Sequence, residues 1–188
     1  MKIKLLLVAV MAAAYAHSQD CEPYFPMEEG TQFEITDYDK EDKVTGKVKH
    51  SVLDKTDEGN GNISCTVKQE SYDKKDEHVY TNEYTVQCVD GVFNLDMSMF
   101  IDSESMSGYS AMETEVDASS LEIPTDPVVG QELGDGYVTV KIGSGGVTAF
   151  TMTVNITNRK VAAIEEITTE AGTFQCVKIT YDISTKML

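Results

Sequence analysis

The sequence predicts a mainly β protein built on one strongly curved antiparallel sheet, a half-barrel, with at most one or two short helices. Three observations carry this expectation. Apolar residues recur at every second position through most of the chain, the period of strands that bury one face. Polar, often glycine-bearing breaks separate these runs at near-regular intervals, as hairpin-connected neighbours require. The runs are also too numerous for a flat open sheet, so the sheet must curl.

At 188 residues, with 41% hydrophobic and 25% charged content, the composition is that of one globular domain. Lys+Arg 15 against Asp+Glu 32 leaves a net charge of −17, which repels nucleic acid and anionic membrane surfaces. The chain opens on the basic Met1-Lys2-Ile3-Lys4, then an apolar run from Leu5 to Ala14, then Ala14-Tyr15-Ala16 and Ala16-His17-Ser18. This is the pattern of a secretory signal, too short to span a bilayer as a helix. Cleavage after Ser18, with cleavage after Ala16 nearly as good a fit, divides the chain into a signal peptide, 1–18, and a single β-rich domain, 19–188, exported to the periplasm or beyond. Gln19-Asp20 ahead of Cys21 is not the small residue that lipidation needs, so no lipid anchor is expected. No later apolar stretch is long enough to cross a membrane.

The elements follow in order. Thr31–Tyr38 alternates Phe33 and Ile35 with polar residues, and Lys43–Leu53 alternates Val44, Val48 and Val52. Asp54–Asn62 reads as a polar loop. Asn62–Tyr72 sets Ile63, Cys65 and Val67 on one face, and His78–Cys88 sets Tyr80, Tyr84, Val86 and Cys88 on one face. Val89–Ile101 is the clearest run, with Val89, Phe93, Leu95, Met97, Met99 and Ile101 all at odd positions. Asp102–Ser119 is ambiguous, because Met106, Tyr109, Met112 and Val116 recur at helical spacing. Pro124 to Pro127 marks an irregular crossing. Strands resume at Gly136–Ile142, Val147–Asn155, Lys160–Thr169 and Thr173–Ile183, rich in Val, Thr and Ile. Glu170-Ala171-Gly172-Thr173 predicts a tight turn with Gly172 at positive φ. Tyr38-Asp39-Lys40-Glu41-Asp42 and Tyr72-Asp73-Lys74-Lys75-Asp76 are near-copies, read as one hairpin solution used twice.

Cys21, Cys65, Cys88 and Cys176 are disulfide candidates in an oxidising compartment. They allow three connectivities. The local argument favours Cys65 with Cys88, which lie on consecutive strands facing the apolar side, though diagonally in the simplest register.

Catalytic and metal-binding patterns are sparse. Only His17, His50 and His78 occur, and Gly108-Tyr109-Ser110-Ala111 stops short of a nucleophile elbow. Asp54 to Asn60 offers oxygen ligands, but Thr56 and Cys65 stand where a calcium loop needs acids. Glu165 with Glu166, or Asp37 with Asp39, are the acid pairs a hydrolase would use; solvated surface charge is the simpler reading. No cofactor, metal or catalytic residue is expected. The feature that suits a ligand is the apolar set Phe93, Leu95, Met97 and Met99, with Met106 and Met112 nearby, since methionine adapts to irregular apolar partners. The competing assignment is the domain's own core.

Ala171-Gly172-Thr173-Phe174-Gln175-Cys176-Val177-Lys178-Ile179, Cys21 to Gly30, Leu121-Glu122-Ile123-Pro124 and Val129-Gly130-Gln131-Glu132-Leu133 together resemble the TapB-like family of exported bacterial proteins. That family is related to a domain-of-unknown-function family. The resemblance implies a half-barrel similar to the LolA/LolB-type lipoprotein carriers, and no established activity or catalytic residue. It matches Cys21, Cys88 and Cys176 but not Cys65, which makes Cys21–Cys88 a rival pairing. Similar proteins continue beyond the strand ending near Asp182, so the sequence is expected to be truncated at its C-terminus. The function expected is non-enzymatic binding of an apolar ligand or an envelope protein. The alternative is an interaction module acting through the acidic face or a sheet edge, and the distant alternative a carboxylate-dependent hydrolase.

Overall fold

The computed structural model describes residues 21, 24–101 and 112–188. The signal segment and Met106 lie outside them. Among the described residues there are ten strands and one short helix. The strands are β1 (Gln32–Tyr38), β2 (Val44–Gly59), β3 (Asn62–Asp73), β4 (His78–Val89), β5 (Val92–Asp96), β6 (Glu113–Ala118), β7 (Ser120–Pro124), β8 (Gly136–Ser144), β9 (Val147–Thr169) and β10 (Gly172–Met187). A 3-10 turn spans Met97–Phe100. The strands are ordered β1-β2-β3-β4-β5-β7 in one sheet and β10-β9-β8-β6 in the other, with all pairs antiparallel. Together they make the strongly curled half-barrel.

The sheets are continuous through one residue. β6 and β7 are halves of a single strand divided at Ser119. The Ser119 N–H donates to the Tyr137 carbonyl, while its own carbonyl accepts from the Met97 N–H, both at 2.9 Å. The Tyr137 N–H donates to Ser119 Oγ at 2.8 Å. The chain thus exchanges β5 for β8 as its neighbour without losing a backbone hydrogen bond, which buried backbone cannot afford.

Turn chemistry sets the hairpins. Asn60-Gly61, Asp90-Gly91 and Gly145-Gly146 all have positive φ at both positions, as type I′ turns demand. Two expectations change as a result. Residues 54–59 continue β2 rather than forming a loop, because Asn60-Gly61 turns the chain in two residues. Val89–Ile101 is not one run: Asp90-Gly91 reverses it, leaving Val89 37% exposed while Phe93 pairs with Cys88 on the inner face. The near-copies around Asp39 and Asp73 do form the same hairpin. In each, one aspartate Oδ1 accepts the N–H groups two and four residues on, and Asp42 or Asp76 takes positive φ.

The helical spacing of Met106, Tyr109, Met112 and Val116 does not mark a helix through Val116, which lies in β6 opposite Val140. The 3-10 turn falls instead at Met97–Phe100, where alternation predicts strand. Asp96 Oδ1 accepts the Ser98 N–H there at 2.8 Å, an N-cap that competes with continued extension. Lys160–Thr169 and Val147–Asn155 are one strand, β9, in which Asn158 has positive φ.

Two apolar clusters fill the concave side. Phe25, Met27, Val52, Cys65, Val67, Tyr84, Val86 and Phe93 form the first. Met97, Ile101, Leu121, Val138, Val140, Ile142, Met152 and Ile156 form the second. A Cβ on Gly136 would lie 2.4 Å from Leu121 Cδ2 and 3.2 Å from Met97 Cγ, so this position must be glycine for the second cluster to close. Arg159, 3% exposed, donates to the carbonyls of Gly134 and Glu122. It thereby ties the strand β7 and the segment before β8 to β9.

The disulfide is Cys21–Cys88, with Cα atoms 5.8 Å apart, which corrects the local argument for Cys65–Cys88. Cys65 lies opposite Val86 and Cys88 opposite Ile63. Such diagonal neighbours stand roughly 7–8 Å apart, past the roughly 7 Å reach of a disulfide. Cys65 is free and buried, its thiol donating to the Met27 carbonyl, and Cys176 is free and partly exposed. The bridge closes a sequence separation of 67 residues and holds Phe25 and Met27 over the first cluster. Replacing Cys21 with Ser should therefore cost about 2–5 kcal/mol, read as a lower urea midpoint that reducing agent no longer changes. An unchanged midpoint would contradict this clamp.

Candidate functional site

β4 and β6 are each paired on one side only over part of their length. Residues His78–Thr85 of β4 bond to β3 but have no second strand beside them among the described residues, because β5 pairs only with Val86–Val89. Among the described residues β6 bonds to β8 alone. Between these two edges, below the Met97–Phe100 turn, lies a cavity of about 330 Å³ lined by Asn82, Asp96, Ser98, Val116 and Ala118. Glu83 and Asp117 complete its rim, making the mouth acidic.

Period two leads inward from this slot along a polar row. His50, Gln69 and Asn82 are direct cross-strand partners on β2, β3 and β4, and Asn82 Nδ2 donates to the Ser98 carbonyl at 3.3 Å. Ser71 stands one step along β3. His50, Gln69, Ser71 and Ser98 are at most 5% exposed. His50 stacks on Phe33 and shares a 2.9 Å hydrogen bond between its Nδ1 and the Tyr84 hydroxyl. Gln69 Oε1, Ser71 Oγ and Ser98 Oγ have no partner among the described residues. Leaving such atoms unsatisfied costs about 1–3 kcal/mol each.

Burial lowers the His50 pKa and raises that of Tyr84, so both are neutral near pH 7. The row therefore presents neutral donors and acceptors rather than charge.

The apolar set read from the sequence divides here. Phe93 and Met97 are 2% and 0% exposed, one in each cluster. Leu95 packs against both clusters, Met99 against the first and Met112 against the second, all partly buried. Val116 and Ala118 of the slot pack against the same second cluster, so the slot and the methionine-bearing face are neighbours.

The acid pairs do not converge on it. Asp39 is used in its turn. Glu165 and Glu166 are exposed on successive positions of β9, hence on opposite faces, and Glu165 pairs with Lys178. His78 is exposed and bonds Thr81, whereas His50 is buried. A second cavity, about 340 Å³ beside Arg159, Asp135 and Asn158, is bounded by an arginine whose charge the carbonyls already hold.

The polar row itself was missed, although its signal was present. Gln69 and Ser71 continue the parity of Ile63, Cys65 and Val67, and His50 that of Val48 and Val52. These are polar residues written on the buried face.

The neutral His50 predicts a pH dependence. Its native pKa lies below the unfolded value of about 6.5, so as pH falls through that value the unfolded chain takes up the proton first. The contribution is present above the unfolded pKa and is lost towards the native one. His50→Gln should flatten the decline in urea midpoint between about pH 7 and 5; an unaltered slope would contradict a neutral, buried His50.

Residues 28–188 match the DUF3108-like family. No curated protein matches the chain. A candidate exported protein with a YmcC-like fold from Bacteroides fragilis is similar at a TM-score of 0.71 and 17% identity, over 86% of this chain and 78% of that one. A candidate lipoprotein from Parabacteroides distasonis is similar at 0.72 and 19%, over 87% and 77%. At these identities the likeness concerns the fold. None of the helices among the described residues is long and apolar enough to cross a membrane. The match over residues 28–188 places this half-barrel in a family: the chain belongs to the DUF3108-like family.

Proposed function

We propose that this is a non-enzymatic exported protein that binds an apolar ligand in the slot between β4 and β6. Within its family we read it as TapB-like, on the Ala171–Ile179 hairpin and the Cys21–Gly30 segment. The observation that carries the binding reading is the unpaired pair of strand edges beside Val116, Ala118, Leu95 and Met112. Val116 and Ala118 line an opening there that no strand among the described residues fills. Export is supported by the signal pattern at 1–18 and by the candidate exported protein and lipoprotein that share the fold.

A second reading, an interaction module, is favoured by β10. It is hydrogen-bonded to β9 only among the described residues, and Phe174, Ile183 and Met187 on it are 49%, 64% and 58% exposed. Open apolar edges of this kind pair with other chains.

The two readings separate on a neutral fluorescent probe, N-phenyl-1-naphthylamine. The purified protein should bind it saturably, and Ala118→Trp, which fills the slot, should abolish the signal. Val147→Trp, at a 70% exposed site on the second sheet, should leave it unchanged. Absence of saturable binding, or equal binding by Ala118→Trp, would remove the ligand reading and leave β10 as the working surface.

A further inference from the structure

We infer that two copies of this chain join through β10 as a symmetric dimer, in which Lys178 of each copy pairs with Asp182 of the other. This deepens the reading of β10 as an interaction surface, on which it rests, and is independent of the slot. β10 ends its sheet, hydrogen-bonded to β9 only among the described residues. Both irregularities of the β9–β10 ladder place their extra residue on β9, at Ala162 and within Asn158-Arg159. β10 itself therefore keeps period two from Gly172 to Met187, with no bulge or proline to blunt its edge. Its odd positions lie on the concave face, because Ile183 stands opposite Ile156 and Met187 opposite Met152, both buried in the second cluster. Yet Tyr181, Ile183 and Met187 are 54%, 64% and 58% exposed, so the apolar face of that cluster runs on uncovered to the edge.

The residues of β10 select one register with themselves. Antiparallel copies forming one continuous sheet are related by a two-fold axis normal to it, which keeps concave residues beside concave ones. Odd positions must then face odd positions, and even face even. Centring the axis on Thr180 meets this condition and overlaps the strands from Thr173 to Met187, leaving only Gly172 unmatched. In that register Lys178 faces Asp182, twice by symmetry, and Lys186 lies against the Phe174 ring. On the concave face Val177 covers Ile183, and Ile179 covers Tyr181. Moving the axis to Ile179 or Tyr181 keeps parity but sets Asp182 against Cys176 or Thr180, and the ion pairs are lost. Within each copy Lys178 is 3.5 Å from Glu165, and Asp182 Oδ2 accepts from Asn158 Nδ2. The ammonium has further N–H groups to donate and the carboxylate a second oxygen, so both remain able to pair across the axis. β10 carries two lysines and one aspartate in a chain of net charge −17, which spares this edge the repulsion that keeps two copies apart elsewhere.

Sedimentation equilibrium of the purified chain should show a monomer–dimer equilibrium at micromolar concentrations. Lys178→Glu and Asp182→Lys should each weaken the dimer about tenfold, since each sets two like-charge pairs face to face, and the two together should restore it. Ser184→Cys gives a second readout, because Ser184 faces Cys176 of the other copy in this register. Under mild oxidation that variant should form a covalent dimer through Cys176, the two positions lying too far apart along one strand for a bond within a copy. A dimer indifferent to both charge swaps and not cross-linked in the Ser184→Cys variant would overturn the inference, since it forms elsewhere. A monomer would overturn it too, and amide hydrogen exchange along β10 then decides the reading beneath it. Alternating fast and slow amides leave the edge open to a different partner, whereas protection of every β10 amide would remove β10 as an interaction surface as well.

Discussion

The structure depends on the change of partner at Ser119. A strand that kept one neighbour along its whole length would extend a flat sheet and leave no opening. Here the N–H and C=O of one residue point to Tyr137 on one side and Met97 on the other, so β7 completes the first sheet while β6 begins the second. Two consequences follow directly. The sheets meet at an angle that curls the whole surface, and the edges of β4 and β6 diverge beneath the 3-10 turn. The Met97–Ser119 bond is the next pair of the β5–β7 ladder after Asp96–Ser120, and the 3-10 turn begins there. Gly136, opposite Met97 and Leu121, allows the junction to close.

Around that junction the concave side is filled unevenly. The Cys21–Cys88 bridge draws Phe25 and Met27 over the upper part, where Val67, Val86 and Phe93 are fully enclosed. The second cluster packs beneath Met97 on the other sheet. Between them the inner face turns polar at His50, Gln69, Asn82 and Ser71, and this is where hydrogen-bonding capacity is left over. A core selected only for stability would place apolar residues at Gln69 and Ser71, because the strand positions are buried and the partners are absent. Gln69 Oε1 and Ser71 Oγ are the hydrogen-bonding groups left over there.

Most of the fold was legible from period two. The positions of β1, β3, β4, β8 and β10 follow from Phe33 and Ile35, Cys65 and Val67, Tyr84 and Val86, and the Val-Thr-rich second half, although β8 and β10 run past their expected ends at Ile142 and Ile183 to Ser144 and Met187. The errors have specific causes. Asn60-Gly61 and Asp90-Gly91 turn the chain in two residues, and such a turn switches the inward parity, from Val86 and Cys88 to Phe93 and Leu95; Val89, apolar but outward at an odd position, hid the turn at Asp90 inside an unbroken odd-numbered pattern. Asp96 caps a 3-10 turn where Met97 and Met99 continue that pattern. The disulfide was not legible locally because Cys21 reaches Cys88 from a segment with no periodicity, across 67 residues. The slot was illegible for a related reason: which strand edges remain unpaired depends on where β5 stops, which only the register decides. The polar row was legible as parity, Gln69 and Ser71 following Cys65 and Val67, but the absence of partners is a property of three dimensions.

The claim on which the account rests is that β4 and β6 face one another across an opening while Ser119 joins the sheets. Residue-resolved amide hydrogen exchange tests it most directly. The account predicts slow exchange at Met97 and Ser119. Along His78–Thr85 it predicts slow amides where the N–H faces β3, alternating with fast ones where it faces the slot. Uniform protection through His78–Thr85 and Glu113–Ala118, or rapid exchange at both Met97 and Ser119, would contradict it.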